Sequence, residues 1–322
     1  MKLHCPIYEN VIKAEKNIKD IAHITPVLTS NYLNQKLGNE IFFKCENFQK
    51  TGAFKFRGSL NALKNLTKEQ KNIGVVAFSG GNHAQGIALA GQILNIPTTI
   101  VMPIDAPKSK IDATRNYGSE IIFYDRYKDN REKITDELVK EKGATLIPSA
   151  DHFDVIAGQA TIAKELIDHV GELDAIFVPV GSGGLLAGTL LTIQKASPEC
   201  EVYGIEPEAG NDAQQSILQG KIVKIDVPET IADGARVQYI GKHCFSIIKD
   251  SNAIIDTVKD SELIESMSFF AERLKIVVEP TGCLGLAGFI KNNEKFKNKK
   301  IGIIITGGNV DMETYSKLLT TK

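Results

Sequence analysis

Short apolar runs alternate with longer amphipathic stretches along most of this chain, and that rhythm predicts its fold class. A charged amphipathic helix over 8–22 comes first. A turn at Pro26 and Ser30 then leads into a helix over 31–37 that stops at Gly38. Residues 41–45 predict a short strand and 56–66 a helix. Further strands are predicted at 74–79, 98–102, 120–124 and 145–147, separated by helices at 83–94, 108–117 and 129–142. The alternation resumes with strands at 175–180, 202–206, 253–257 and 301–306. Helices at 154–169, 185–196, 212–219, 261–274 and 283–292 separate or flank them. Strands alternating with helices of this length imply βαβ units and parallel sheets. The expectation is an α/β protein of two open, twisted parallel-sheet lobes packed against each other. The chain would cross between them near 68–74 and 148–152, giving a larger unit of 1–70 and 151–322 and a smaller one of 71–150.

Composition narrows the class without naming it. The 322 residues are 43% hydrophobic and 24% charged, enough for one large or two medium cores. A formal net charge of −1 gives no electrostatic footprint for nucleic acid or an anionic membrane. The basic cluster at 291–300 also holds Glu294 and three asparagines, and reads as a solvated helix end and loop. Five cysteines, at 5, 45, 200, 244 and 283, are odd in number and widely spaced. They suggest neither a disulfide framework nor a zinc site. With no signal-peptide pattern and no run of 18 apolar residues, a cytoplasmic protein is expected.

The chemistry centres on Gln49-Lys-Thr-Gly-Ala-Phe-Lys-Phe-Arg-Gly58. Apolar neighbours normally drive a lysine to the surface. If Phe54 and Phe56 instead desolvate Lys55, its charged form is disfavoured and its pKa falls. A neutral amine can attack a carbonyl to form a Schiff base, or take a proton. Taken alone, the stretch also fits a helix-start lysine beside two core phenylalanines. Three glycine turns add weight: Ser79-Gly-Gly-Asn-His83, Gly181-Ser-Gly-Gly184 and Thr306-Gly-Gly-Asn309. Each follows a predicted strand, where ligands sit in an open parallel sheet. Gly181 to Gly184 has the form of a phosphate cradle, with backbone N–H groups at a helix start and no lysine. A dinucleotide site is the rival of a different class, a nicotinamide-dependent oxidoreductase. Gly181, Gly183 and Glu206 would suit it, but its third glycine position holds Leu186. In Glu206-Pro-Glu-Ala-Gly-Asn-Asp212, two carboxylates and a carbonyl form a hard oxygen set suited to Mg²⁺ or Ca²⁺. A merely solvated acidic loop is the alternative.

In order and spacing, these motifs match one family nearly end to end. Ile156-Ala-Gly-Gln159, Thr230-Ile-Ala-Asp-Gly234 and Glu279-Pro-Thr-Gly282 complete the set. The chain resembles the fold-type II pyridoxal-phosphate enzymes (the tryptophan synthase β-like fold), in particular the threonine/serine dehydratase and serine racemase group. The resemblance implies that Lys55 holds the cofactor and later removes the substrate Cα proton. Phe54 would pack beside the ring and Asn82 would bond its 3′ oxygen. Gly181, Ser182, Gly183, Gly184 and Leu185 would hold the phosphate, although relatives usually carry glycine where Ser182 stands. Ser79, Asn82 and His83 would surround the substrate carboxylate, with His83 equally readable as a helix-start histidine bonded to backbone. Thr306 would face the pyridine nitrogen. A hydroxyl there makes the ring a weaker electron sink than an aspartate would, which favours loss of a β-leaving group over transamination. Glu279 would lie at the ring's edge, order water, or be purely structural. Relatives also place a divalent ion on the positions of Glu206, the Gly210 carbonyl and Asp212.

The implied reaction is α,β-elimination by a threonine/serine ammonia-lyase, giving 2-oxobutanoate or pyruvate plus ammonia. On the same scaffold, serine racemisation and dehydration of 3-hydroxyaspartate are the alternatives. A second substrate carboxylate would need a cation, and Arg131 and Arg236 are the candidates. Relatives that racemise serine carry a serine hydroxyl where this chain has Gly80, which argues against racemisation. The resemblance implies a small hydroxy-amino-acid substrate and a homo-oligomer, dimer or tetramer. The sequence ends at Lys322, soon after the Thr306 turn, so no C-terminal regulatory domain and no control by isoleucine are expected.

Overall fold

The apolar runs of the sequence become ten strands among the described residues, which are 3–320 of a computed structural model. They are β1 (Val27–Leu28), β2 (Glu40–Cys45), β3 (Val75–Phe78), β4 (Thr98–Pro103) and β5 (Glu120–Tyr124). The rest are β6 (Thr145–Leu146), β7 (Ala175–Pro179), β8 (Glu201–Pro207), β9 (Ile254–Val258) and β10 (Lys300–Ile305). One sheet has the order β1-β2-β10-β7-β8-β9, and every pair in it is parallel except β1 with β2. The other, β5-β4-β3-β6, is wholly parallel. The fold class expected from the alternation is the one found.

Side chains of a strand alternate between its faces, and both faces of the larger sheet are buried. Phe177 and Ile303 enter a cluster with Phe43, Tyr203 and Phe289, while Ile176, Val178 and Ile304 enter another with Leu186 and Leu190. The Phe177 and Tyr203 rings stack at 4.7 Å. In the helix Lys55–Asn65, Phe56, Leu60 and Leu63 join Val75, Ala77 and Ile100 of the smaller sheet in one buried cluster. That helix packs on the helices Asn82–Leu94 and, on another side, Phe153–Val170. There Gly158 lies so close that a Cβ on it would sit 2.7 Å from Gly58 Cα, which gives the Ile156-Ala-Gly-Gln159 motif a packing role.

Several local expectations shift. The first helix is Tyr8–Ile18 and stops short of Ala22, because the chain turns there and Gln49 Oε1 takes the His23 N–H at 2.9 Å. The stretch 261–274 is an α-helix, Asp260–Phe269, followed by a π turn, Phe270–Leu274, that closes on Lys275 at φ 60°. The helix expected from 129 starts at Arg131, with the Asn130 side chain as its cap. Helices at Lys68–Ile73, Lys242–Lys249 and Met312–Thr320 were not expected. Of these, Lys68–Ile73 had a sequence signature, the Thr67/Gln70 capping box. Among the described residues no helix is long and apolar enough to cross a membrane.

Candidate active site

Lys55 is held where the third glycine turn meets the chain entering its helix. The Phe54 N–H donates to Thr306 O at 3.0 Å, Ala53 bridges Gly307, and the Gly308 N–H donates to Gly52 O at 2.9 Å. Gly52 has φ 70°, and a Cβ there would fall 2.5 Å from Asn309 Oδ1, so only glycine fits. Lys55 Nζ donates to the Ser149 carbonyl at 2.7 Å and stands 4.9 Å from the Phe54 ring centroid. Burial lowers its pKa to about 8, with the Cys244 sulfur acting in the opposite direction. Phe56 takes no part in this, because it is wholly buried in the core of the smaller sheet. The desolvation expected from an aromatic pair therefore comes from Phe54 and the surrounding wall.

The turn after β7 is built to receive an anion. Gly183 has φ 88°, and a Cβ on it would lie 2.9 Å from Cys244 Cβ, so the backbone reverses at a point closed to side chains. The helix Gly184–Ala196 begins there with no side-chain cap, and its first N–H groups lack partners within the helix. Gly181, Ser182, Gly183, Gly184 and Leu185 share this helix start, with the Ser182 carbonyl tied to the Gly241 N–H at 3.1 Å. Behind it, Asp151 accepts from the N–H groups of Lys242 and His243 at 2.9 and 2.7 Å, fixing the helix that carries Cys244. Leu186, at the missing third glycine of a dinucleotide loop, is fully buried.

The Ser79–His83 turn is more constrained than its sequence suggests. Ser79 Oγ accepts from the Gly81 N–H at 3.1 Å. Asn82 Nδ2 donates to Glu279 Oε1 at 2.7 Å, while its Oδ1 accepts from Asn309 Nδ2 at 2.9 Å. His83 is buried, with Nε2 2.9 Å from the Ile147 carbonyl and Nδ1 3.4 Å from Ser59 Oγ. Burial first, then the Lys55 charge, depresses its pKa to about 3, so the ring is neutral. Both ring nitrogens are engaged by protein, which is the backbone-bonded arrangement rather than a free substrate contact. Thr306 Oγ1 is buried and has no partner, a hydroxyl left for a ligand.

Three further groups line up around this turn. Burial raises Glu279 to about 7, opposed first by the Lys110 charge. Lys110 is buried and pairs with Asp233 at 2.6 Å, joining the smaller sheet's side to the 230–234 motif. The Arg131 guanidinium carbon lies 4.9 Å from the ring centroid of Phe78, the residue just before Ser79. Arg236 is exposed. Sequence reasoning passed over Ser149, Asp151, Cys244 and Lys110. Ser149 acts through its carbonyl, which no sequence motif marks.

The acidic loop lies apart from these groups. Glu206 is wholly buried and accepts the N–H groups of Ala213 and Gln214 at 3.0 and 2.8 Å. A ribose-binding role is thereby closed to it. Both oxygens of Asp212 are buried without partners. Burial raises Asp212 to about 7 and lifts Glu206 well above the carboxylate range, with Asp212 adding to the latter. Among the described residues no cluster of three or more His, Cys, Asp or Glu forms a metal site, so an ion here would rest on two carboxylates and carbonyl oxygen.

An amine held at Ser149, an uncapped helix start for an anion and an unpartnered hydroxyl at Thr306 together suit pyridoxal phosphate. The chain belongs to the family of pyridoxal-phosphate dependent enzymes, whose pattern it matches over residues 18–307, and its two parallel sheets are those of fold type II. It is 56% identical to a serine racemase of Schizosaccharomyces pombe over 98% of both chains. It is 55% identical to an L-threo-3-hydroxyaspartate ammonia-lyase of a Pseudomonas species, over 97% of this chain and 98% of that one. The solved structure of maize serine racemase superposes with a TM-score of 0.93 at 37% identity, covering 98% of this chain and 97% of the other. The protein is thus a pyridoxal-phosphate-dependent enzyme of the ammonia-lyase and racemase group. Its relatives do not support the threonine specificity expected above; they favour the alternatives named beside it.

Proposed function

We propose that the protein is an ammonia-lyase that dehydrates L-threo-3-hydroxyaspartate, in preference to threonine or serine, to a 2-oxo acid and ammonia. The observation that carries this reading is the Arg131 guanidinium beside Phe78, a cation next to the turn assigned to the substrate carboxylate. Threonine and serine have no side-chain carboxylate and would leave the guanidinium only its neighbour Glu132, which accepts from Arg131 Nε at 2.9 Å. The ammonia-lyase relative at 55% identity supports the same choice.

Bound pyridoxal phosphate would supply an electron sink for charge developing at the substrate α-carbon. Gly181 to Leu185 and the Ser182 hydroxyl would hold its phosphate, Thr306 would face its ring nitrogen and Asn82 its ring oxygen. Phe54 would pack against the ring. Lys55 would tether the group, and its Nζ would take the Cα proton, a task suited to an amine whose pKa is lowered to about 8. Ser79 and the backbone N–H of Asn82, at the uncapped start of the helix Asn82–Leu94, would hold the α-carboxylate. The β-hydroxyl would leave with one proton as water, balanced overall by the Cα proton passed to Lys55, and the enamine product would take up one water to give the 2-oxo acid and ammonia.

Arg131→Ala should lower kcat/KM for 3-hydroxyaspartate by ~10–100-fold and that for threonine by less than ~3-fold, as expected for loss of one carboxylate–guanidinium pair. Coupled assay of 2-oxo acid release measures both. Equal losses on the two substrates, or a wild-type preference for threonine, would defeat the assignment.

Serine racemisation is the second reading, supported by the relative at 56% identity. It needs a proton donor on the face away from Lys55, and Gly80 offers none. A Cβ at Gly80 would meet Pro103 Cγ at 2.9 Å, so the loop is also closed to a side chain at that point. L-serine incubated in D₂O should therefore give pyruvate with little D-serine by chiral chromatography. D-serine appearing as fast as pyruvate would restore the racemase reading.

At the acidic loop, Mg²⁺ or Ca²⁺ would sit on Glu206, the Gly210 carbonyl and Asp212. The support is chemical: two buried carboxylates whose charges oppose each other, one with both oxygens unpartnered. Added ion should raise the melting temperature of the wild type and not of Asp212→Ala. The same shift in both proteins would move the ion elsewhere.

A further inference from the structure

Three motifs meet at the Asn82 side chain, and their hydrogen bonds run in one direction. Asn309 Nδ2 donates to the Thr51 carbonyl at 2.6 Å and to Asn82 Oδ1 at 2.9 Å, which uses both of its N–H groups. Asn82 Nδ2 then donates to Glu279 Oε1 at 2.7 Å, which leaves one N–H on Asn82 unspent. Turning the Asn82 amide over would set Oδ1 against a carboxylate oxygen and Nδ2 against another Nδ2. The carboxylate is enclosed: Glu279 is buried, and its Oε1 occupies the space that a Cβ on Gly307 would need, 2.6 Å away. Its backbone N–H is pinned to Gly307 O at 3.0 Å. Asn309 is held in turn, since Gly52 leaves room for its amide oxygen and for no side chain of its own.

We propose that Asn309 and Glu279 are positioning residues that lock the Asn82 amide with its free N–H available to the ring oxygen of the cofactor. The proposal rests on the assignment of Asn82 to that oxygen. It explains why residues 51, 82, 279 and 309, far apart in sequence, are joined in one chain of hydrogen bonds through the Asn309 and Asn82 amides. Neither positioning residue needs to touch the cofactor. Their effect is to exclude the flipped amide, which would present a lone pair to a ring oxygen that is itself an acceptor.

The test is a double-mutant cycle on the affinity of the apoprotein for pyridoxal phosphate, with far-UV circular dichroism to confirm folding. Asn82→Ala should raise Kd by ~10-fold, the weight of one hydrogen bond to a charged oxygen. Asn309→Asp keeps the shape and removes the donor, and should raise Kd by ~5–10-fold alone but less than ~2-fold in the Asn82→Ala background. Glu279→Gln keeps an acceptor for Asn82 and should stay within ~2-fold of wild type, while Glu279→Ala should follow Asn309→Asp. The visible band of the holoenzyme should shift the same way in Asn82→Ala and Asn309→Asp. An unchanged Kd in Asn82→Ala would remove the assignment of Asn82 itself. A normal effect there, with Asn309→Asp additive or silent, would remove the positioning role and leave the assignment standing.

Discussion

Lys55→Ala should fold and bind substrate amino acid yet turn over at less than ~10⁻³ of the wild-type rate, since it lacks both tether and base. No neighbour can take over. His83 is neutral with both ring nitrogens engaged, and burial holds the Cys244 thiol well above its usual range. Folding should survive because Lys55 makes one hydrogen bond, to Ser149, and its burial is a cost to the charged amine rather than a source of stability. The visible absorbance band of the holoenzyme, and its bleaching by borohydride, should vanish as well. Retention of a tenth of wild-type activity would refute the role of Lys55.

Arg57→Met should cost about 3–5 kcal/mol of stability, the usual penalty for stranding buried charges. Arg57 is wholly buried two residues after the lysine and binds Glu46 through Nε at 2.7 Å and Glu165 through Nη1 at 2.6 Å. Lys44 Nζ joins the same group at 2.7 Å from Glu165. Two cations and two anions thus balance where the strand β2, the Lys55 helix and the helix Phe153–Val170 meet. Without Arg57, Glu46 keeps only the Thr25 hydroxyl at 2.6 Å as a side-chain partner, while remaining fully buried. Lys44 then faces Glu165 alone. Urea denaturation with an activity probe measures the loss. A change below ~1 kcal/mol would mean that water enters and screens the group. Replacing the four charged residues together by apolar ones should cost less than replacing Arg57 alone, because no ion is left unpaired.

The amino-acid pattern by itself determined the two parallel sheets, since alternation, run length and caps such as Ser30 and Gly38 act within a few residues. It also determined the three glycine turns and the lysine. Glycine at 52 and 183 is a demand of local backbone geometry, at φ 70° and 88°, and such demands are written at the position where they act. Even the overlooked helix Lys68–Ile73 carried its own capping box. Distant contacts were beyond it. Only tertiary structure decided that Phe56 turns to the core while Phe54 faces the amine, and that His83 is spent on Ile147. It decided that Lys110 rather than a motif residue is the buried cation beside the 230–234 turn. The Asn82–Glu279 bond spans 197 positions and the Lys55–Ser149 bond 94. A side chain's partner and protonation depend on which atoms the fold delivers to it, and no local period or spacing encodes atoms that far along the chain.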